Sequence, residues 1–154
     1  MNVKIIKQIK KLCHKDKRKF FLSNNINLAV NLNLDGLYLP SFNKELNVKK
    51  FNIKKKFLII GSAHTMKEIR IKEKQGVQLI FLAPLFRTTK NNKFLNTTKF
   101  NILAAKTNKK VVALGGINSK NIKKLKFLNI HGLAGITYFE NNGKVNFLKN
   151  EYNK

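Results

Sequence analysis

The stretch Val111-Val-Ala-Leu-Gly-Gly-Ile-Asn118 is the most informative part of the sequence for the fold. Its first four residues are apolar without alternation, which is typical of a strand buried on both faces of a parallel sheet. Gly115 and Gly116 then break the strand, and Asn118 can cap a following helix. Free backbone N–H groups at such a helix N-terminus can hold a phosphate. By itself, the glycine pair fits a phosphate site and a plain tight turn equally well.

Five other apolar runs of this kind lie along the chain, and with Val111–Gly115 they predict six strands. The other five are Phe20–Ser23, Gly36–Leu39, Phe57–Ile60, Leu79–Pro84 and Leu133–Phe139. The lysine-rich segments between the runs leave room for one crossover helix each, so the pattern predicts an α/β protein with alternating strands and helices. Periodicity does not choose between an incomplete (β/α)8 barrel and a doubly wound sheet.

Three segments carry helix signals. Thr65-Met-Lys-Glu68 is a capping box, Gly76 can end that helix, and Lys72 has the i,i+4 spacing of an ion pair with Glu68. Asn118 predicts the cap of a second helix that runs through Asn129. At the start of the chain an apolar stripe predicts a leading helix that packs beside the first strand; it consists of Ile5, Ile6, Ile9 and Leu12.

Length and composition predict one folded domain over residues 1–154, with 43% hydrophobic and 25% charged residues. A single cysteine, Cys13, excludes an intrachain disulfide and a cysteine-rich metal site, and it fits a reducing, cytoplasmic location. The longest apolar run, Leu79–Phe86, is far shorter than the roughly 20 residues that cross a bilayer. We therefore expect no association with a membrane.

The net charge of +25 is the unusual property of this composition. A strongly basic chain is typical of proteins that bind nucleic acid or another polyanion. However, 29 of the 32 basic residues are Lys, spread along the whole chain, and the sequence also contains 22 Asn. Base recognition prefers the bidentate Arg side chain. The distribution favours a solvated, composition-biased surface over a dedicated nucleic-acid site.

Functional groups of parallel α/β proteins gather at the carboxyl ends of the strands, in a barrel and in a doubly wound sheet alike. In this sequence the residues that follow the six runs are hydroxyls, amides, one histidine and two cations, without a carboxylate. They occupy positions 23–25, 40–43, 61–65, 84–90, 115–118 and 135–137. With a second glycine turn at 135–137, the phosphate interpretation of the first gains support.

Six short motifs follow one another over roughly residues 20 to 140. They are Phe21-Leu-Ser-Asn-Asn-Ile-Asn-Leu-Ala29, Asp35-Gly-Leu-Tyr-Leu39, Ile60-Gly-Ser-Ala-His-Thr65, Pro84-Leu-Phe-Arg-Thr-Thr-Lys90, Ala113-Leu-Gly-Gly-Ile117 and Gly132-Leu-Ala-Gly-Ile-Thr137. In this order and spacing they resemble the motifs of the thiamine-phosphate synthase/TenI family. The resemblance implies a (β/α)8 TIM-barrel type of fold, incomplete, with about six parallel strands and without the family's first strand, first helix and second strand.

The resemblance also implies thiamine biosynthesis, with a phosphorylated thiazole as the small-molecule partner. The synthases of this family join thiazole phosphate to an aminopyrimidine methyl diphosphate and release pyrophosphate with the help of Mg²⁺. Position by position, Gly115, Gly116, Ile136 and Thr137 would bind the thiazole phosphate, and Thr88 and Thr89 would line the thiazole. The catalytic set would be His64, Lys90 and Ser62, with Lys90 on the diphosphate and Ser62 on the pyrimidine.

The departures from the family pattern concern the diphosphate half of that site. The two positions that carry Mg²⁺ carboxylates in the family hold amides here, Asn24 and Asn43. A neutral amide oxygen is a much poorer ligand for a hard cation than a carboxylate, so we expect weak Mg²⁺ binding and no dedicated metal site. The family's pyrophosphate-binding motif is absent as well. The resemblance therefore implies a kept thiazole-phosphate half and a degraded diphosphate half.

Three functions remain open at this point. The chain resembles a synthase, a transferase, but a TenI-type thiazole tautomerase, an isomerase, needs only a phosphate anchor and one proton carrier, for which His64 is suited. The third is a non-catalytic, degenerate barrel whose basic surface binds a polyanion. Six strands cannot close an eight-stranded barrel, so we also expect exposed sheet edges at Phe20 and Leu133 and either a homodimer or a monomer of low stability.

Overall fold

The computed structural model describes residues 2–89, 92–136, 138 and 139. This part of the chain contains α1 (Val3–Lys15), β1 (Phe21–Ser23), α2 (Ile26–Asn31), β2 (Gly36–Leu39), β3 (Leu58–Ala63), α3 (Met66–Lys74), β4 (Leu79–Leu82), α4 (Asn96–Ala105), β5 (Lys110–Leu114) and β6 (Gly132–Ala134). It also contains two 3₁₀ helices, Asn47–Lys50 and Ile122–Phe127. None of the helices within the described residues is long and apolar enough to cross a membrane.

The six strands form one sheet in which the strand order follows the chain from β1 to β6. The registers place Ser23 beside Tyr38, Leu39 beside Gly61 and Leu114 beside Ala134, all in parallel pairs. A doubly wound sheet reverses its strand order at a switch point, whereas a (β/α)8 barrel adds each strand beside the previous one. The predicted α/β class, with six parallel strands of the barrel type, is confirmed.

Two predicted strand boundaries are wrong. The run Leu133–Phe139 was expected to be one strand, but β6 ends at Ala134 and residues 136, 138 and 139 are helical. Gly135, which belongs to neither element, separates β6 from these helical residues. In contrast, β3 continues past Ile60 to Ala63. A Cβ on Gly61 would lie 2.8 Å from the Lys72 side chain, so the glycine leaves room for that lysine under the strand.

The predicted helix from Asn118 to Asn129 is also wrong, because the segment forms only the 3₁₀ helix Ile122–Phe127. The Asn118 amide oxygen accepts from the N–H groups of Lys120 and Asn121 at 2.9 and 3.2 Å. The Asn121 oxygen in turn accepts from the Asn118 N–H at 2.9 Å. Asparagine side chains compete in this way with helical hydrogen bonds, so the first turn is lost to local side-chain contacts.

The leading helix α1 is present, but its apolar stripe does not pack as predicted. Asn2 caps the helix through its side-chain oxygen, and the helix covers all four residues of the stripe. Only Ile6 is buried, at 4% exposure, while Ile5, Ile9 and Leu12 are each exposed by more than a third. A polar contact also attaches α1 to α2: the Lys10 ammonium donates to the Leu32 carbonyl at the end of α2, at 2.9 Å.

The capping box of α3 is confirmed. The Thr65 hydroxyl accepts from the Glu68 N–H at 3.3 Å, and the Glu68 carboxylate accepts from the N–H groups of Thr65 and His64 at 3.2 and 2.6 Å. Glu68 therefore serves the N-terminus of the helix, and the expected ion pair with Lys72 is wrong. The Lys72 ammonium binds three oxygens elsewhere, as described below.

The chain divides into two compact units. Unit 1 consists of Met1–Phe81 with Thr107–Lys110, and unit 2 of Leu82–Lys106 with Val111–Lys154. Each has its own buried apolar residues: unit 1 includes Leu37, Leu39, Ile59, Ile69 and Ile80, and unit 2 includes Leu82, Leu85, Phe100, Ala113 and Leu125. The expectation of a single domain over residues 1–154 stays a prediction.

Candidate functional site

In unit 1 the polar residues that follow β1 and β2 bind one another. Asn24 directly follows β1 with φ of 61°, a left-handed conformation that asparagine adopts more readily than most residues, and its N–H donates to the Tyr38 carbonyl at 2.9 Å. The Asn43 amide nitrogen donates to the Asn24 amide oxygen at 2.6 Å. Asn43 itself is buried. Asn24 and Asn43, the two positions at which the family resemblance implies Mg²⁺ carboxylates, therefore hydrogen-bond to each other.

These amides do not fit a magnesium site. The Asn24 oxygen accepts from Asn43, and the Asn43 oxygen accepts from the Gln75 amide at 2.8 Å and the Glu45 N–H at 3.0 Å. Both oxygens are thus engaged in hydrogen bonds, and neither carries a charge. Within the described residues, no group of three or more His, Cys, Asp or Glu side chains could hold a metal ion. In proteins Mg²⁺ is usually held by one or two carboxylates together with water and substrate phosphates, and Asn24 and Asn43 supply no carboxylate.

Ser62 lies inside β3 and not in the turn after it. Its side chain is buried, and its hydroxyl accepts from the Tyr38 hydroxyl at 2.9 Å. Tyr38 also packs edge-to-face on Phe81, with ring centroids 6.2 Å apart. Ser62, one of the three predicted catalytic residues, is therefore held by a hydrogen bond from Tyr38 of the neighbouring strand β2.

His64 follows β3 with an exposed side chain. Its ring nitrogen Nε2 lies 3.1 Å from the hydroxyl oxygen of Ser41, a residue of the turn after β2. Its backbone N–H donates to Glu68, which fixes the base of the side chain. Glu68 thus fixes the backbone of His64, and the Ser41 hydroxyl contacts its imidazole ring.

Beneath this cluster lies Lys72 of α3, whose exposure is 0%. Its ammonium donates to the Pro40 carbonyl at 2.6 Å and to the Asn43 carbonyl and Gln75 side-chain oxygen at 2.9 Å each. Burial lowers the pKa of Lys72 from 10.5 to about 8, while the charge of Glu68 acts in the opposite direction. The turn after β2 is therefore tied to α3 by a buried cation.

In unit 2 the corresponding turn after β5 is built from backbone. Gly115 and Gly116 have φ of 96° and 69°, and we call residues 115–118 the glycine turn. A Cβ on Gly116 would lie 2.6 Å from the Phe86 carbonyl oxygen, so only glycine allows this approach. The Phe86 N–H donates to the Gly115 carbonyl at 3.1 Å, which holds the loop after β4 against the glycine turn.

Two asparagines orient the glycine turn. The Gly116 carbonyl accepts from the side-chain amide of Asn121 at 2.7 Å and from that of Asn118 at 3.4 Å. In a trans peptide the C=O and N–H point in opposite directions, so this contact also sets the direction of the Ile117 N–H. Among the described residues, the N–H groups of Gly116 and Ile117 have no hydrogen-bond acceptor.

The remaining predicted residues of unit 2 are only partly described. Thr88 is half-buried and Thr89 exposed, in the loop after β4 that also packs on the glycine turn. Ile136 follows β6 with 77% of its surface exposed. Lys90 and Thr137 lie outside the described residues.

Sequence reasoning assigned no specific role in these clusters to five residues. Tyr38, Gln75 and Asn121 were not considered, Ser41 was only placed among the strand-end residues, and Lys72 was only expected to pair with Glu68. One signal was available for Lys72, because it lies three residues after the buried Ile69, on the inward face of α3. A lysine on such a face is buried only with partners. Tyr38, Ser41 and Asn121 act through contacts that sequence spacing does not reveal.

A cavity of about 460 Å³ in unit 1 lies away from these residues. Its lining includes Leu34 and Asp35, just before β2, and Phe57, just before β3, so it lies at the amino ends of these strands. No predicted site residue lines it. Since parallel α/β proteins act at the carboxyl ends, we take the strand-end clusters as the candidate site.

A sheet in which each parallel strand lies beside the previous strand of the chain, with helices between the strands, defines an α/β protein of the (β/α)8 barrel type. The thiamine monophosphate synthase (TMP-TENI) family model matches residues 2–139. The chain belongs to this family, as the motifs indicated, and the family associates it with thiamine biosynthesis.

Individual relatives agree with the family match. A putative thiamine-phosphate synthase 2 of Aquifex aeolicus is 30% identical over 140 residues, which cover 88% of this chain and 74% of that protein. A thiamine-phosphate synthase of Flavobacterium johnsoniae is 31% identical over 139 residues, covering 84% and 65%. A thiamine-phosphate synthase of Prochlorococcus marinus is 28% identical over 132 residues, covering 84% of this chain and 38% of that protein.

Among solved structures, thiamine phosphate pyrophosphorylase from Pyrococcus furiosus shares the fold with a TM-score of 0.69 at 22% identity. The match covers 87% of this chain and 64% of that one. The chain thus spans less than two thirds of several of the family members it matches. At this identity the likeness supports the fold alone.

Proposed function

We propose that the chain is a thiamine-phosphate synthase-like protein that binds thiazole phosphate through the glycine turn of unit 2. The observation that carries the proposal is the pair of N–H groups of Gly116 and Ile117, which lack an acceptor among the described residues and are oriented by Asn121. Successive backbone N–H groups of this kind form a concave donor site for a phosphate. Such a site needs no charged side chain.

The other predicted residues take supporting roles in this proposal. Gly115, Ile136 and Thr137 complete the phosphate contacts, and Thr88 and Thr89 line the thiazole ring. Ser62 and Lys90 belong to the pyrimidine side of a synthase reaction, as the family resemblance implies.

A thermal shift experiment tests the phosphate site. Thiazole phosphate raises the melting temperature, and the dephosphorylated thiazole does so much less, because a ligand at 100 times its Kd stabilises by about 2.7 kcal/mol. Asn121→Leu reduces the shift, since the glycine turn loses its orientation. Lys120→Leu, which changes a neighbouring exposed residue, is the matched control and keeps the full shift. An equal or larger shift from aminopyrimidine diphosphate with Mg²⁺ contradicts the proposal.

The transferase reaction itself is expected to be weak. Departure of pyrophosphate needs cationic stabilisation, and Asn24 and Asn43 offer none. We expect synthase turnover at least about a hundredfold below that of a complete family member, as loss of several kcal/mol of electrostatic stabilisation predicts. Full synthase activity of the unmodified chain would refute this expectation.

One observation in unit 1 favours a second candidate function, that of a thiazole tautomerase. Asn24 and Asn43 hydrogen-bond to each other, and His64 Nε2 lies 3.1 Å from the Ser41 hydroxyl while Glu68 holds the His64 backbone N–H. A tautomerisation moves one proton within the substrate and leaves its charge unchanged, so it needs no metal. His64→Gln then abolishes the isomerisation while thiazole phosphate still raises the melting temperature. Unchanged isomerisation in His64→Gln would exclude His64 as the proton carrier.

Three further expectations belong to the proposal. We expect a cytoplasmic location, because a single cysteine fits a reducing compartment, and either a homodimer or a monomer of low stability, because six strands leave exposed sheet edges. Light scattering coupled to size exclusion tests the oligomeric state. A salt series distinguishes the proposed phosphate site from the alternative, a basic surface that binds a polyanion. Binding to RNA or DNA weakens steeply with ionic strength, whereas binding of one phosphomonoester depends on salt far less.

A further inference from the structure

The starting observation is a lysine in a place where lysines are rarely found. Lys72 has 0% exposure, although the chain carries 29 lysines that could remain in water. Fully buried charged side chains occur when they are paired or hydrogen-bonded. Within the described residues, the one salt bridge is Arg70–Glu73, so Lys72 is not neutralised by direct contact with a carboxylate.

Three oxygens surround the Lys72 ammonium instead. They are the carbonyl oxygens of Pro40 and Asn43 and the side-chain oxygen of Gln75, at 2.6, 2.9 and 2.9 Å. An ammonium has three N–H donors and no acceptor, and all three donors are used here. A neutral amine has only two, so the arrangement fits the charged form. The cation is stabilised by carbonyl dipoles, as a bound metal ion would be.

Gln75, one turn further along, binds the same turn of the chain. Its side-chain amide donates to the Asn43 carbonyl at 3.1 Å, the Asn43 side-chain oxygen at 2.8 Å and the Glu45 carbonyl at 2.9 Å. Together, Lys72 and Gln75 hold four oxygens of residues 40–45. This segment, which follows β2, has no regular secondary structure of its own.

The held segment carries Ser41, and Ser41 touches His64 at 3.1 Å. Helix α3 also supplies Glu68, whose carboxylate holds the His64 N–H. One helix thus fixes both partners of the contact: Glu68 sets the backbone of His64, and Lys72 sets the turn that presents Ser41.

We propose that Lys72 is a positioning residue whose buried ammonium organises the strand ends of unit 1 in place of a divalent cation, and so sets the Ser41–His64 contact. This does not depend on the identity of the ligand in unit 2. It extends to Asn24, because Asn43 accepts from Lys72 at its backbone carbonyl and from Gln75 at its side-chain oxygen, and its side-chain nitrogen donates to Asn24. Unit 1 is therefore organised without metal.

The test uses Lys72→Met, which keeps the length of the side chain and removes its charge, with Lys74→Met as the matched control on the exposed face of α3. NMR resonances of the His64 imidazole, assigned with His64→Gln, are the readout. We expect them to move in Lys72→Met and to stay at their wild-type positions in Lys74→Met. A structural role confined to the core would lower the melting temperature without moving His64 differently from the control, and this result would overturn the proposal.

A double-mutant cycle shows whether the effect passes through Ser41. Ser41→Ala moves the His64 resonances directly, and Lys72→Met then adds little in the double variant, because coupled residues are not additive. Full additivity contradicts the proposed route. Should Lys72→Met fail to fold, Gln75→Met serves instead: it removes three donated bonds to the same segment and is expected to move His64 in the same direction. Unmoved His64 resonances in a folded Gln75→Met would overturn the proposal.

A separate experiment tests whether unit 1 binds a metal ion, and it uses the wild-type protein with MgCl2 and no other ligand. At equal ionic strength, MgCl2 and KCl are expected to give the same melting temperature and the same His64 resonances. A specific rise in melting temperature with MgCl2 would overturn the claim that the internal cation replaces a metal. A failed phosphate site in unit 2 would leave all of these measurements unchanged, so the two proposals fail separately.

Discussion

The two units fix their strand ends by different means. In unit 1 the turn after β2 is held by side chains, Lys72 and Gln75 below it and Asn24 beside it. In unit 2 the turn after β5 is held by close backbone packing, with Gly116 against the Phe86 carbonyl. A side-chain cluster changes its chemistry with a single substitution, whereas a backbone turn depends on shape. The polar turn of unit 1 can therefore change its chemistry while the sheet stays the same, whereas the glycine turn of unit 2 depends on its two glycines.

The largest expected effect on stability is that of Gly116→Ala, which we compare with Gly132→Ala in the same unit. Gly116→Ala places a Cβ among the carbonyls of Phe86 and Arg87 at a φ of 69°. Overpacking costs about 1–3 kcal/mol and the left-handed conformation about 1–2 kcal/mol more, so we expect a loss of roughly 2–5 kcal/mol in the free energy of unfolding. Urea denaturation measures it.

Gly132→Ala is the control for this prediction. Its Cβ would meet only the Val112 side chain, at 3.9 Å, which is an ordinary contact. We expect a change of less than about 1 kcal/mol, in the range of ordinary substitutions without a clash or strain. Equal losses in the two variants would show that the glycine turn is not defined by close packing.

This comparison also explains what the sequence could predict. The glycine turn was recognisable as a turn because Gly-Gly directly after an apolar run breaks the strand, although the pair by itself does not distinguish a phosphate site from a tight turn. The six strands were recognisable from uninterrupted apolar runs, although β6 ended early at Gly135. The contacts of Lys72, Ser41 and Asn121 were not predictable, since they join segments that are distant in the sequence or use asparagine in place of a helical turn. Local propensity carries no information on such partners.

The second prediction restores charge to unit 1. In Asn24→Asp combined with Asn43→Asp, two carboxylates replace an amide–amide hydrogen bond, and their repulsion costs about 1–3 kcal/mol without metal. MgCl2 then raises the melting temperature of the double variant and not that of the wild type, at equal ionic strength. We expect the gain in Mg²⁺ binding to exceed any gain in synthase turnover. A double variant that is indifferent to MgCl2 would mean that these positions cannot form a cation site.

The third prediction concerns pH. The pKa of Lys72 is lowered to about 8 in the folded protein by burial, against the attraction of Glu68. Between pH 8 and the ordinary lysine value, the unfolded chain binds more protons than the folded chain, so this group makes stability rise with pH. The slope is at most about 1.4 kcal/mol per pH unit.

Other lysines titrate at the upper end of this range, so the test is a difference between variants. The free energy of unfolding of the wild type minus that of Lys72→Met is expected to rise from pH 7 through 9, whereas the difference from Lys74→Met stays flat. A flat difference for both variants would mean that burial does not perturb Lys72.

The smallest expected effects come from removing side-chain hydrogen bonds, one in unit 1 and two in unit 2. Tyr38→Phe removes the bond to Ser62 and keeps the ring contact with Phe81, so it costs about 1 kcal/mol. Asn121→Leu removes the bond donated to the Gly116 carbonyl and the bond accepted from the Asn118 N–H, so it costs about 1–2 kcal/mol. Their effects on ligand binding differ, because only Asn121 orients a backbone donor. Tyr38→Phe keeps the melting-temperature shift with thiazole phosphate, and Asn121→Leu reduces it. If Tyr38→Phe reduced the shift as much as Asn121→Leu, phosphate binding would depend on general stability and not on the orientation of the glycine turn.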